Sequence, residues 1–271
     1  MLYESFKPDR ELQNYISRYL HGFSMEAGRH ELRIPPSGGI FISLTYGDPL
    51  DVHINQKTIH NYPRVFIGGQ LYAESPLLTC DGMFGLIGIE FTPTGFYKMF
   101  GLDSSQFTDN IVNFKTFCPE DQKELYRYTR YDEVNMILEL TEKHLINRPK
   151  ANYDTGLTDR AIDIMLFHNG NISIAKVAAS LSVSTRTLGR LFSQQVGLSP
   201  KNYSKIIQLN AVFTSLAKNN PAKIQSLANE YGYFDHSHFI RDFRRFIGAK
   251  PKDFLQSKNQ FLKTYLGKKV S

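Results

Sequence analysis

Cysteine is scarce in this chain: among 271 residues, only Cys80 and Cys118 carry thiols. Two cysteines cannot build a disulfide framework, and they do not make a zinc site. We therefore expect two free thiols, which is usual for a cytoplasmic protein. A free cysteine commonly packs as a small apolar side chain, and we expect that role for both. The alternative, that one of them is a redox sensor, stays open.

The chain also lacks a long hydrophobic run and a metal-binding histidine motif. No stretch of about 20 apolar residues occurs, so no membrane-spanning helix is predicted. The segment from Met1 to Leu12 contains three acidic side chains and no apolar core, so we expect no secretory signal. Histidines of the N-terminal half follow neither the H-x-H nor the H-E-x-x-H spacing. We expect no metal, no cofactor, no catalytic residues and no enzyme activity.

Acidic residues are few in the C-terminal part of the chain. Residues 152–271 hold 17 Lys and Arg against 7 Asp and Glu, a net charge of +10, whereas residues 1–151 carry −4. The whole chain is therefore +6. This asymmetry indicates that only the C-terminal part meets a polyanion such as nucleic acid. No basic amphipathic anchor stands out, so we expect no membrane partner.

One pattern occurs twice between residues 172 and 256. Val177 corresponds to Leu227 at an offset of 50 residues, and one extra residue in the second copy then makes the offset 51. The later pairs are Ser184 with Asp235, Leu188 with Phe239, Arg190 with Arg241, Phe192 with Phe243, Gly197 with Gly248 and Pro200 with Pro251. Such a repeat predicts two copies of one supersecondary unit.

Each copy has the pattern of a helix, a tight turn and a second helix. In the first copy Ile174 and Val177 lie on one helical face, and Ser184 is the predicted N-cap of the second helix. In the second copy Gly232 occupies the turn and Asp235 is the predicted N-cap. A supporting helix followed by a helix with a basic outer face is the helix-turn-helix arrangement, whose second helix enters the DNA major groove. A helical bundle with a solvated basic face is the alternative.

The predicted DNA contacts lie on the outer faces of the two second helices. Arginine can donate two hydrogen bonds to guanine, whereas contacts to phosphate position the protein without reading sequence. The predicted base contacts are Arg186 and Arg190 in the first motif and His236, Ser237 and Arg241 in the second. The predicted phosphate contacts are Thr185, Arg244, Arg245 and Lys250. Gly189 and Ile240 complete the two DNA-facing surfaces.

These residues resemble the DNA-binding domain of the AraC family of transcription regulators. The first motif carries the resemblance in residues 174–178, 184–192 and 196–200, and the second in 227–251. Three positions depart from the family. Ser182 stands where the family usually has Gly, Gln208 where a basic residue is common, and Gly189 where many members have a larger polar side chain.

The N-terminal part has a different pattern, with short apolar segments between Gly, Pro, Asn and Asp. The predicted strands are residues 31–34, 40–44, 52–54, 64–67, 77–80 and 84–91. Many short strands with frequent turns predict an antiparallel barrel or sandwich. Residues 36–39 and 88–95 are similar to an uncharacterised N-terminal domain of some AraC-type regulators. The wider family implies a small, cupin-like barrel.

Helices are predicted around and after the strands. Leu12, Ile16 and Tyr19 fit a short amphipathic helix that runs into an extended segment. Pro93 is predicted at the first turn of a helix that ends at Gly101. Three further helices are predicted, at residues 119–147, 157–167 and 200–217. The first is interrupted near residues 131–132, and the last joins the two motifs. In the second, Ile162, Ile164 and Leu166 are available for packing. Residues 148–152 read as a linker.

The predicted fold class is α+β with two domains. Residues 1–118 form a β-rich sensor domain, residues 119–152 a helical connector, and residues 153–271 the DNA-binding domain. The connector helices either pair two subunits or cover the open face of the barrel. If the joining helix is rigid, DNA must bend for both motifs to occupy neighbouring grooves about 34 Å apart, or one motif alone seats fully.

The expected function is sequence-specific regulation of transcription in the cytoplasm. The resemblance implies double-stranded operator DNA and RNA polymerase as partners, an effector or partner sensed by the N-terminal domain, and a homodimer. Two alternatives remain: a DNA-binding protein that needs no effector, and an enzyme with a DNA-binding tail, which the histidine spacing disfavours.

Overall fold

The structure, a computed structural model, describes residues 2–73, 75–131, 133–218, 236–247, 250–251 and 253. The strands are β1 (Leu2–Phe6), β2 (Ile16–Ser24), β3 (Arg29–Arg33), β4 (Phe41–Gly47), β5 (Asp51–Ile54), β6 (Lys57–Ile59), β7 (Val65–Gly68), β8 (Leu77–Asp81), β9 (Phe84–Phe91) and β10 (Ile111–Asn113). The helices are α1 (Gly95–Phe100), α2 (Pro119–Tyr128), α3 (Val134–Asn147), α4 (Gly156–Phe167), α5 (Ile174–Ser180), α6 (Thr185–Val196), α7 (Pro200–Lys218) and α8 (His236–Ile247). The α+β class with an antiparallel N-terminal part is confirmed.

The N-terminal strands form two sheets and not one closed barrel. The six-stranded sheet has the order β1-β2-β9-β4-β7-β10, and the four-stranded sheet has the order β3-β8-β5-β6. Their neighbouring strands pair antiparallel. Leu32 and Leu78 of the small sheet share a core with Phe66 and Leu86 of the large sheet. The sandwich prediction is therefore right, and the barrel expected from the wider family is wrong for these strands.

Strand β9 lies in the middle of the large sheet, and all its residues are buried. Successive side chains of a strand point to opposite faces. Leu86 accordingly packs between the two sheets, whereas Ile87 and Ile89 pack on the opposite face with helices. A strand covered on both sides explains why residues 84–91 read as a nearly continuous apolar run.

Helices α2 and α3 cover the outer face of the large sheet. Leu125 of α2 and Ile137 and Leu145 of α3 are fully buried in the same core as Ile42 and Ile89 of the sheet. Of the two expectations for residues 119–147, covering the sheet is therefore what these buried faces do. Their interruption is also confirmed, since α2 ends at Tyr128 and α3 begins at Val134.

The short helix predicted before the first long strand is present only as a 3-10 helix, Arg10–Leu12, and the extended segment begins at Ile16. Leu12 ends a short 3-10 turn capped by Asp9, and Ile16 and Tyr19 lie on β2. The register of β2 against β9 shifts between Ile16 and Arg18. A bulge inserts one residue and places side chains three apart on the same face, which imitates helical spacing. Both Ile16 and Tyr19 accordingly enter the same core.

Helix α1 begins at Gly95 and not at Pro93. Thr94 is its N-cap residue, so Pro93 precedes the helix. Gly95 lies against the chain at Tyr15, where a Cβ atom would be 1.9 Å from the carbonyl oxygen. The predicted end is confirmed, because Gly101 caps the helix in the left-handed conformation with a φ of 71°.

The C-terminal helices pack on two cores through α7. Tyr203 and Ile206 of α7 pack with α4, α5 and α6, whereas Leu209 and Val212, further along the same helix, pack with α8 and the sandwich core. In α4 Ile162 is buried as predicted, but Leu166 is 51% exposed, and Met165 takes the buried position. The joining helix therefore contacts α4, α5 and α6, then α8, and also the β domain.

Candidate nucleic-acid interface

The first helix-turn-helix motif consists of α5, a tight turn and α6. Ser184 caps α6, and its Oγ accepts a hydrogen bond from the backbone N–H of Thr187 at 3.0 Å. The turn passes through Ser182, whose φ of 56° is the left-handed conformation that glycine adopts more easily. Gly197 ends α6 with a φ of 88°. The predicted cap is thus confirmed, and Ser182 itself adopts the left-handed conformation in the turn.

Helix α6 has an apolar inner face and a polar outer face. Leu188, Phe192 and Val196 are fully buried. The exposed side chains of its first half include Thr185, Arg186 and Arg190, as predicted. Gly189 lies between the two arginines, and a Cβ atom added there would meet nothing within 4 Å. The outer face therefore has room at Gly189 for a DNA backbone or base to approach.

Helix α8 repeats this arrangement with a more basic outer face. Phe239, Phe243 and Phe246 are fully buried, as the repeat predicted. Its exposed side chains are Ser237, Arg241, Arg244 and Arg245, and Ile240 is half-buried. Asp242 is the only acid of this helix and is buried, with Lys205 at 3.9 Å. The surface that α8 exposes to solvent is therefore cationic.

Part of the second motif lies outside the described residues. This applies to Leu227, Gly232, the cap Asp235 and the side chain of His236, whose predicted roles stay predictions. Lys250 is described and exposed.

Arg245 differs from the other predicted contacts because the β domain holds it. Its guanidinium carbon lies 4.2 Å from the centre of the Tyr72 ring, and its Nε donates a hydrogen bond to the carbonyl oxygen of Ala73 at 3.1 Å. Stacking of a cation on an aromatic ring is attractive. In this arrangement Arg245 joins α8 to the β domain.

The β domain also contacts the C-terminal ends of α6 and α8. Ser104 donates a hydrogen bond to the carbonyl oxygen of Gln195 in α6 at 3.2 Å, and the Thr108 hydroxyl donates to Gly197. The Ser75 hydroxyl donates to the carbonyl oxygen of Phe246 in α8. These contacts occupy the C-terminal ends of the helices, whereas a recognition helix contacts bases with its N-terminal part. Sequence reasoning missed them.

One aspartate links the two β-domain loops that make these contacts. A carboxylate oxygen of Asp109 accepts hydrogen bonds from the backbone N–H groups of Tyr72 at 2.5 Å and Ala73 at 2.6 Å. Asp109 directly follows Thr108, which contacts the end of α6. The loop beneath α6 and the loop beneath α8 are therefore joined.

A further polar contact joins α1 to α4. Lys98 lies 2.8 Å from a carboxylate oxygen of Asp159, and the hydroxyl of Thr94 donates to the other oxygen at 2.6 Å. Thr94 and Asp159 are 65 positions apart along the chain, so no local sequence pattern predicts this contact. They fix the start of the DNA-binding domain on the β domain.

The two cysteines are buried, free and poorly ionised. Burial raises the pKa of Cys80 to about 11 and that of Cys118 to about 12. The thiolate is the reactive form of cysteine. These environments therefore favour the packing role over the sensor role.

Within the described part of the chain, no group of three or more His, Cys, Asp or Glu is placed to hold a metal ion, and no helix is both long and apolar enough to cross a membrane.

Comparison with known proteins agrees with this division of the chain. Residues 177–257 match a family described as a helix-turn-helix domain, and residues 4–113 match a domain of unknown function, DUF6597. Over 86 residues the chain is 35% identical to the HTH-type transcriptional activator RhaS of Escherichia coli strain SE11, and the same protein of E. coli O9:H4 strain HS gives the same identity. These matches cover 32% of this chain and only 31% of each relative.

A similar fold occurs in ToxT from Vibrio cholerae. One solved structure covers 88% of this chain and 97% of that chain, with a TM-score of 0.50 and 11% sequence identity. A second, from strain O395, covers 88% and 98% with the same TM-score and 10% identity. At such identities the likeness concerns the fold alone. Residues 177–257 thus match a helix-turn-helix domain and are similar to part of an HTH-type transcriptional activator, and residues 4–113 match a domain of unknown function.

Proposed function

We propose that this protein is a sequence-specific, DNA-binding regulator of transcription of the AraC type, acting in the cytoplasm. The observation that carries the proposal is the pair of amphipathic helices α6 and α8. Each buries a phenylalanine-rich or leucine-rich face and exposes arginine at the equivalent repeat position, Arg190 and Arg241. Neither helix exposes an acidic side chain. Two cationic helices of this kind suit insertion into the DNA major groove.

The roles of the exposed side chains follow from their positions. Arg186, Arg190 and Arg241 are proposed to read base edges, because bidentate arginine distinguishes guanine by about 1–3 kcal/mol. His236 and Ser237 are proposed to read bases from the start of α8. Gly189 and Ile240 are proposed to line the DNA-facing surfaces without hydrogen bonds of their side chains. The proposed phosphate contacts are Thr185, Arg244, Lys250 and Arg245, the last only after it leaves Tyr72.

The experiment that tests this proposal is the double substitution Arg190→Ala with Arg241→Ala. Genome-wide binding would first define the operator, and affinity for operator and for unrelated duplex would then be measured at fixed salt. We expect a loss of operator preference with a smaller loss of non-specific affinity. A matched control, Arg29→Ala with Arg127→Ala, removes the same charge from exposed positions of the β domain and α2, and should retain operator preference. Equal loss on all DNA would reassign both arginines to phosphate contacts.

An effector is the second part of the proposal. One of the ToxT structures contains (E)-4-(8-methylnaphthalen-1-yl)but-3-enoic acid, which supports small-molecule control in this fold. The apolar cavity inside the present sandwich has a volume of about 60 Å³, smaller than the ~150 Å³ that admits benzene. A ligand there would need the sheets to separate. If no metabolite of a broad panel changes either melting temperature or operator affinity of the full chain, the effector-independent alternative is preferred.

Partner proteins complete the proposal. The relatives named above are transcriptional activators, which supports RNA polymerase as a partner. A homodimer is proposed through the outer surface of α2, α3 and their connection, where Tyr126, Tyr131 and Met136 are exposed. The inner surfaces of these helices are already used to cover the sheet. Sedimentation of the full chain with and without operator DNA would distinguish a dimer from a monomer.

A further inference from the structure

A cleft of about 580 Å³ separates the β domain from the DNA-binding domain. Its β-domain side consists of β2, β9 and the loop at Ser37–Gly39, and its other side consists of the end of α4 and the middle of α7. Sites for small molecules usually measure about 300–1,000 Å³ and often lie between domains. The cleft has this size in the arrangement observed, whereas the cavity inside the sandwich does not.

Two polar groups of α7 face this cleft without making the hydrogen bonds they can form. Tyr203 is only 3% exposed, and its hydroxyl lies beside Gly38 at the wall of the cleft, with no hydrogen bond to another described residue. Asn210 uses its amide nitrogen to donate to the carbonyl oxygen of Ser37 at 3.3 Å, but its amide oxygen is buried and has no partner in the same part of the chain. Leaving a buried polar atom such as this amide oxygen unsatisfied costs stability, so it needs an explanation.

The charges around the cleft favour an uncharged occupant. The charged residues that line it are Arg18 and Glu90, and they pair with each other at 2.5 Å with side chains 11% and 2% exposed. A second buried charge would lack a counter-ion and would be costly to desolvate. The remaining walls are largely apolar and include Phe91, Ile206 and Ile207.

The Tyr203 hydroxyl is suited to donate a hydrogen bond. Its burial, with the nearby charges of Glu90 and Asp159, raises the pKa of Tyr203, so the hydroxyl stays protonated. The Asn210 amide oxygen can only accept. An occupant of the cleft therefore needs at least one acceptor and one donor.

We propose that this cleft is the effector site, and that it binds a small uncharged molecule with an apolar face, a hydrogen-bond acceptor for Tyr203 and a donor for Asn210. This inference rests on the proposed function, in which an effector controls DNA binding. Tyr203 packs on Phe192 of α6 with ring centres 5.9 Å apart. From the next part of α7, Leu209 and Val212 pack in the core that includes α8. A molecule held against α7 would thus act on both DNA-facing helices.

The first test uses neutral and charged probes of the same shape on the full chain. Nicotinamide and adenosine each have a flat apolar ring, donors and acceptors, and nicotinate and adenosine monophosphate are their anionic counterparts. We expect at least one neutral probe to bind at millimolar concentration by calorimetry and its anionic counterpart to bind at least tenfold more weakly. No binding by either neutral probe, or equal binding by a charged counterpart, would overturn the proposal.

The second test locates the binding with the substitution Tyr203→Phe. The change removes only the hydroxyl, so the free protein should melt at the same temperature or higher, while affinity for the neutral probe falls about tenfold, the effect of one hydrogen bond. Tyr62→Phe is the matched control, because its hydroxyl donates to Ile111 at 2.8 Å outside the cleft. It should lower stability and leave probe affinity unchanged. Unchanged probe affinity in Tyr203→Phe would place the probe elsewhere and contradict the site.

Operator binding is measured in the same proteins to separate the two proposals. Tyr203→Phe without probe should bind operator as the parent chain does, since the hydroxyl contacts no part of the DNA-facing surfaces. If Arg190→Ala with Arg241→Ala leaves operator preference intact while the neutral probe still binds through Tyr203, the proposed function fails and the cleft site stands. If operator preference is lost but the probe fails to bind, the cleft proposal alone is wrong.

Discussion

Two glycines of helix α6 show how the surroundings of a residue decide what glycine does there. Gly189 has helical neighbours on both sides and open space where a side chain would be. Gly197, at the end of the same helix, has a φ of 88°, and a Cβ atom there would lie 2.8 Å from the carbonyl oxygen of Ser104. The fold therefore does not need glycine at position 189. It needs glycine at position 197, because the φ is positive there and the carbonyl oxygen of Ser104 leaves little room for a side chain.

We therefore predict opposite effects for Gly189→Ala and Gly197→Ala. Gly189→Ala should raise the free energy of unfolding by about 0.5–1 kcal/mol, because alanine loses less conformational freedom in a helix. Gly197→Ala should lower it by about 1–2 kcal/mol, because alanine is strained at positive φ. Urea unfolding of the two variants beside the parent measures both. Destabilisation by Gly189→Ala would mean that the position needs glycine for folding.

At the scale of single residues, local chemistry was readable from the sequence. Ser184 was predictable as a cap because it precedes an apolar helical pattern, and its hydrogen bond to Thr187 confirms it. The exposure of Arg186 and Arg190 followed from the same periodicity. The place of the Tyr203 hydroxyl at the cleft was not predictable, because one wall of the cleft comes from Ser37–Gly39 and β9, more than 100 positions earlier in the chain.

At the scale of elements, the sequence predicted a helix or strand correctly where a single periodicity continued along the whole element. The helices of the first motif and β9 follow their predicted spans closely. The start of β2 was misread because its bulge gives a strand the spacing of a helix. The strands β1, β6 and β10 were missed because they lie at sheet edges and bury few side chains, and all three residues of β6 are exposed.

The pairing of α2 with α3 depends on an aspartate with two cationic partners. Asp121 of α2 lies 2.8 Å from the ring of His144 in α3 and 3.0 Å from the guanidinium of Arg148. Burial alone would raise the pKa of Asp121, but the hydrogen bonds from His144 and Arg148 outweigh burial and lower the pKa. The pKa of Asp121 is therefore lower in the folded chain than in the unfolded chain. The stability that this carboxylate adds is present above the unfolded pKa and is lost as the pH falls through the folded pKa.

Asp121→Asn should therefore cost more stability at neutral pH than in acid. At neutral pH we expect Asp121→Asn to lower the free energy of unfolding by about 2 kcal/mol, the scale of hydrogen bonds to a charged group. This loss should become smaller as the pH falls below about 4, the ordinary pKa range of aspartate. Chemical unfolding at neutral pH and at a pH below that range measures the difference. Glu124→Gln is the control, because its pair with Arg127 is exposed and should contribute under about 1 kcal/mol. An equal cost of Asp121→Asn at both pH values would assign the effect to packing.

At the scale of the whole molecule, sequence predicted the two parts but not how they meet. The hydrogen bonds from Ser75 to Phe246 and from Asn210 to Ser37 join residues 171 and 173 positions apart. Neither pair belongs to a repeating pattern. Such contacts depend on the final orientation of two surfaces, which periodicity along one element does not encode. The consequence is that Arg245, predicted to contact phosphate, is instead held by the β domain in this structure.

Arg244 and Arg245 are adjacent on α8 and provide a direct test of this domain contact. Arg245→Ala should lower the stability of the full chain by about 1–2 kcal/mol, since it removes a stacked cation and one hydrogen bond. Arg244→Ala has no such contact to lose, because the exposed Arg244 side chain makes no hydrogen bond, ion pair or ring contact with another described residue. It should leave stability unchanged and reduce the dependence of DNA affinity on salt by about one phosphate contact. Thermal unfolding and DNA titrations at several salt concentrations measure the two effects in each variant.

The two arginines also distinguish a domain contact that persists on DNA from one that DNA breaks. If Arg245 stays on Tyr72 when operator is bound, Arg245→Ala should not change the salt dependence. If Arg245 leaves Tyr72 to reach a phosphate, its replacement should reduce that dependence as Arg244→Ala does, and Tyr72→Leu should strengthen DNA binding because it frees the arginine. Tyr72→Leu with unchanged affinity, together with an unchanged salt slope for Arg245→Ala, would make Arg245 a structural residue and remove it from the DNA interface.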